Sequence, residues 1–120
     1  MGKILLEFKN FEIGIKELKE QIGEDLYNVV NVKPIKVSAQ DVVDSIKKYT
    51  NGEITTEVIT GWVNVVWFTD LYFYDPAQED SISSVMSLLE TLDEENVSFS
   101  AEEFDKMIYS LENNTECELA

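Results

Sequence analysis

"TTEVITGWVNVVWF", residues 55–68, decides the fold. Val58, Ile59, Trp62, Val63, Val65, Val66 and Trp67 leave little polar face if the segment is helical. Thr55 or Thr56 suits the N-cap, and a helix that is apolar nearly all round sits at the centre of a bundle. The β-branched run "VNVV" also suits a strand. Read as a helix, the segment makes this chain an all-α bundle.

The flanking sequence fills in that bundle. Upstream, Ser38 N-caps a helix with Asp41 three residues on, and Ala39, Val42, Val43, Ile46 and Tyr49 form its apolar stripe. Asn51-Gly52 stops it. Further upstream, Phe11, Ile15, Leu18 and Ile22 recur at helical spacing and predict a helix over 8–22 ended near Gly23. "KILLEF" before it reads as a short strand or as the first turns of that helix. "LYNVVNVKPIKV", 26–37, reads as an extended connection or an edge strand, because Pro34 and the β-branched residues oppose a helix.

Downstream, "TDLYFYDP", 69–76, sets aromatics between two acids and closes on Pro76. A helix over 78–92 turns Ile82, Val85, Met86, Leu89 and Leu92 inward, and "DEEN" connects it to the last one. Ser100 and Glu103 form a capping box there, with Phe99 and Phe104 placed for a hydrophobic staple. Phe104, Met107, Ile108 and Leu111 face the core, and 113–120 reads as a flexible acidic tail. The expectation is one domain over 1–120, a bundle of about five helices joined by short loops.

Composition narrows the function. The chain has 120 residues, a net charge of −15 and no His, and no Arg occurs either. The commonest general base, the commonest metal ligand and the bidentate phosphate clamp are therefore missing. No nucleophile–base pair presents itself, so the chain is not expected to be an enzyme. The acidic loops do not match the twelve-residue calcium loop, and no metal or cofactor is expected. Direct nucleic-acid binding is disfavoured, since it depends on Lys and Arg against phosphates. The single Cys117 excludes a disulfide framework. The N-terminus has no apolar run long enough for a signal peptide, and no stretch approaches a membrane span. A cytoplasmic protein is expected.

The charge is polarised. Residues 1–69 carry 10 acids and 8 Lys, a net of −2; residues 70–120 carry 14 acids and 1 Lys, a net of −13. Such a half favours a basic partner. The run 67–75, "WFTDLYFYD", cannot bury every ring on one helix, so Tyr72 or Tyr74 is expected at the surface beside Asp70 and Asp75. Aromatics flanked by acids compose a hot spot for a basic protein. The predicted contact surface is Asp70, Tyr72, Tyr74, Asp75, Glu79 and Asp80, with Asp93, Glu94 and Glu95 at the far end of the same helix.

Two resemblances attach to particular residues. "IKKYTNGEITTEVITGWVNVVWFTD" is similar to the small immunity proteins of bacterial toxin–immunity pairs, including those of contact-dependent growth inhibition. The matching positions are Tyr49, Gly52, Ile54, Thr55 and Trp62, with Asp70 downstream; Trp62-Val63-Asn64 stands where that family commonly has Trp-Ala-Asn. The resemblance implies a cytoplasmic protein that neutralises one cognate toxin domain by binding it; the acidic surface points to a nuclease, whose cleft is basic because it holds phosphates. "EDSISSVMSLLETLDEE" instead resembles the attachment site of acyl carrier proteins, with Asp80-Ser81-Ile82 in place of Asp-Ser-Leu. That would make Ser81 a phosphopantetheine site, although Ile82 departs from the pattern and the family's final helix is absent. An acidic adaptor or nucleic-acid mimic is the remaining alternative.

Overall fold

The segment 55–68 is the central helix. In the computed structural model, which describes residues 2–26 and 32–119, it forms α4, Thr56–Phe68. Thr55 caps it, its hydroxyl accepting from the Val58 amide at 3.2 Å. Ile59, Trp62, Val63, Val65 and Val66 are buried, and that burial overrides the weak helix propensity of the valines. Trp62 is 1% exposed and donates its indole N–H to the Lys9 carbonyl at 3.1 Å, so its one polar atom is satisfied.

Six α-helices occur among the described residues. Around α4 lie α1 (Gly2–Lys9), α2 (Ile15–Ile22), α3 (Ala39–Thr50), α5 (Glu79–Leu89) and α6 (Ala101–Glu112). Short 3₁₀ turns, Pro76–Gln78 and Glu90–Asp93, flank α5. The capping boxes form as expected. The Asp41 carboxylate accepts from the Ser38 amide at 2.9 Å, and Glu103 accepts from the Ser100 amide at 2.9 Å. Phe99 and Phe104 meet edge to face at 5.7 Å, and Phe104 meets Tyr49 at 5.8 Å, which ties α6 to α3.

Three expectations change. The helix over 8–22 is two helices, so the described residues hold six α-helices rather than about five. A Schellman motif closes α1: the Phe11 amide donates to the Phe8 carbonyl at 3.1 Å and the Glu12 amide to the Glu7 carbonyl at 2.8 Å. Phe11 holds the left-handed position of that motif, with φ 63°. Gly14 opens α2, where the Glu17 carboxylate accepts from its amide at 3.0 Å. The helical spacing of Phe11, Ile15, Leu18 and Ile22 persists across the break because both helices pack toward one core.

Second, a two-stranded parallel ribbon joins β1 (Ile35–Val37) to β2 (Tyr72–Tyr74), with Ile35 opposite Tyr72 and Val37 opposite Tyr74. β1 lies in the stretch read as extended; residues 27–31 of that stretch fall outside the described residues. β2 was not expected. The helices α3 and α4 together form the crossover that a parallel pair requires. Third, residues 113–119 are docked rather than a free tail. Asn114 donates its side-chain amide to the Ala77 carbonyl at 2.9 Å, the Cys117 amide donates to Ser84 Oγ at 2.8 Å, and Cys117 and Leu119 pack against the core.

Candidate functional site

The strand β2 and the helix α5 place the predicted residues. A strand alternates its side chains between two faces, and this alternation corrects the expectation for Tyr72. Tyr72 points inward and is 5% exposed; its hydroxyl donates to the Leu5 carbonyl at 2.6 Å, and its ring meets Phe8 edge to face. It anchors α1 and offers nothing to a partner. Burial pushes its phenol well above the usual tyrosine range. Tyr74 also turns inward and is half-buried, with a hydroxyl that has no hydrogen-bond partner among the described residues. Burial first, and then the charge of Glu79, push that phenol up as well.

The rings that reach solvent are others. Phe73, between the two tyrosines, is 43% exposed; Phe68 at the end of α4 is 49% exposed and stacks on Trp67 at 5.3 Å. Tyr109 on α6 is 65% exposed. The period-two pattern Tyr-Phe-Tyr and the position of Tyr109 off the stripe of α6 carried these signals. The first was hidden because a three-residue run is too short for its alternation to mark a strand.

The acids divide more simply. Asp70, Glu79, Asp80, Asp93, Glu94 and Glu95 are all exposed. Asp75 is half-buried and structural: Oδ1 accepts from the Ala77 amide at 3.0 Å to cap the 3₁₀ turn, and Oδ2 lies 3.8 Å from Lys36 Nζ. Glu79 and Asp80 occupy the first turn of α5, where the helix dipole stabilises negative charge. Asp93 ends the 3₁₀ turn at the far end of that helix and Glu94 and Glu95 follow it, about 20 Å away at helical rise. Among the described residues, Asp75 is the one acid of 70–119 that has a salt bridge to a base. The other ion pair, Lys9 with Asp41 at 3.3 Å, belongs to a mixed-charge cleft of about 380 Å³ shared with Asp44, Lys47 and Lys48.

Ser81 is fully buried, and its hydroxyl donates back to the Gln78 carbonyl at 3.0 Å. A prosthetic arm attached there would need a hydroxyl that reaches solvent, so this geometry opposes the carrier reading. No group of three His, Cys, Asp or Glu side chains suited to a metal ion occurs among the described residues. None of the described helices is long and apolar enough to cross a membrane. Comparison of the chain with protein-family models, with curated proteins and with solved structures gives no match.

Proposed function

We propose that this protein is an immunity protein that neutralises a cognate basic toxin domain, a nuclease, by occupying its surface without chemistry. The observation that carries the reading is the excess acid of the C-terminal half: residues 70–120 hold 14 acids and a single Lys106, and eleven of the acids are exposed. Charge in this excess costs self-repulsion and is offset by a partner of opposite sign. A nuclease cleft is basic because it holds phosphates. Opposite fields speed the encounter, and exposed Phe68 and Phe73 near Asp70 in sequence supply the apolar contact that charge alone lacks.

Asp70, Glu79 and Asp80 form one acidic group and Asp93, Glu94 and Glu95 the other. The test is co-expression with the toxin domain encoded beside the gene, followed by co-purification at about 0.5 M salt, where the Debye length is only a few Å. Growth rescue with a stoichiometric complex is expected. Absence of both rescue and complex would refute the reading.

A further inference from the structure

Three departures from local preference meet at one place between the α1–α2 turn and α4. Phe11, a bulky residue, holds the left-handed conformation that ordinarily falls to glycine, with φ 63°. Gly61 interrupts the middle of α4, where glycine is a poor helix former. A Cβ there would stand 2.7 Å from Ile15 Cδ1, so the glycine admits α2 close to α4. Val58, an apolar residue in the first turn of a largely buried helix, is 45% exposed. Such conflicts between sequence and local structure concentrate at functional sites.

What they build is an apolar socket of about 210 Å³ walled by Phe11, Ile13, Val58 and Trp62. The Phe11 ring stacks on Trp62 at 5.3 Å and is thereby fixed as one wall. A single charged side chain, Glu57, lines the socket, and no cation pairs with it among the described residues.

We propose that this socket receives a lysine side chain of the basic partner: the aliphatic stem lies against Phe11, Ile13 and Val58 over the buried Trp62, and the ammonium meets Glu57. The charge decides the occupant. Glu57 is exposed at the rim of the socket, so an ammonium that ends there gains an ion pair with it, whereas a purely apolar side chain of the same reach leaves the carboxylate unmatched. The four-carbon stem of lysine suits an apolar socket of this size. A second copy of this chain is a poor occupant, because it brings another −15 of like charge. The identity of the partner rests on the immunity reading; the chemistry of the socket does not.

Two experiments keep these apart. The first titrates the protein with n-pentylammonium and with n-pentanol, following the Trp62 indole N–H and the Val58 amide by NMR. Saturable shifts confined to the socket are expected, with the ammonium about threefold tighter than the alcohol and that preference lost in Glu57→Gln. Equal affinities, or shifts that do not saturate, overturn the site. The second measures the complex with the neighbouring toxin domain. Val58→Lys, which fills the mouth with a like cation, is expected to weaken it about tenfold or more. Unchanged affinity would remove the partner's lysine from the socket and leave immunity standing. No complex with the parent protein would refute immunity and the assignment of the occupant together, while the first titration still decides the socket.

Discussion

Replacing Phe11 by glycine sets two effects of known sign against each other. The substitution relieves a left-handed backbone that costs a non-glycine residue about 1 kcal/mol. It also removes a half-buried ring stacked on Trp62 at 5.3 Å. Partial burial of a phenylalanine contributes about 1.5–2 kcal/mol, and an aromatic pair adds about 0.5–1 kcal/mol. The ring therefore outweighs the strain, and Phe11→Gly is expected to lose about 1–2 kcal/mol. Phe11→Ala loses the same ring but keeps the strained backbone, so it falls about 1 kcal/mol further. Urea unfolding followed by circular dichroism reads both; with a slope of about 1.5 kcal/mol per molar, the midpoints drop by about 1 M and about 1.7 M. Alanine more stable than glycine at this position would refute the left-handed assignment. A glycine variant more stable than the parent would show that the ring contributes less than the strain costs.

The remaining predictions concern other elements. Tyr72→Phe removes the hydroxyl that bonds the Leu5 carbonyl and is expected to cost about 1 kcal/mol in the same unfolding assay. The raised phenol of Tyr72 also makes stability pH-dependent: full below the unfolded value of about 10, then falling by up to about 1.4 kcal/mol per pH unit above it, a slope that Tyr72→Phe lessens in alkaline melts. Ser100→Ala breaks the capping box of α6 and is expected to lose about 1 kcal/mol by denaturation. Reversing Asp93, Glu94 and Glu95 to lysine is expected to slow association with the toxin domain about tenfold at low salt in stopped-flow mixing, while Lys16→Glu with Lys19→Glu leaves it nearly unchanged. Equal effects of the two sets would argue against a localised acidic contact.

The helices were legible where caps and stripes agreed. Ser38 with Asp41, Thr55 and Ser100 with Glu103 mark three helix starts at the residues where they occur. The break at residues 10–14 was hidden because Phe11 takes a position that sequence assigns to glycine or asparagine, and because the apolar spacing continues across it. β2 was hidden because three residues give too short a run for alternation to show, and its partner lies 37 positions away in register. The acids of the candidate surface were readable from charge alone, since exposed acids need no tertiary context. The aromatics were not: which of Tyr72, Phe73 and Tyr74 faces out depends on the strand, and the strand depends on β1. The socket was equally illegible, because it arises from a backbone conformation and a glycine contact that only the packed helices reveal.

The parallel ribbon has a bearing on how the molecule assembles. Its strands are three residues each, and they enclose the whole of α3 and α4 between them. Closing a loop of that length costs about 3 kcal/mol of chain entropy, more than a few ladder bonds return by themselves. The ribbon therefore closes as a clasp once α3 and α4 have already packed. Its register holds Tyr72 against α1, so the pairing that closes this long loop also fastens the N-terminal helix. Because Tyr72 couples the two, the Ile35 amide, which donates to the Leu71 carbonyl at 3.1 Å, is expected to open to hydrogen exchange together with the amides of α1.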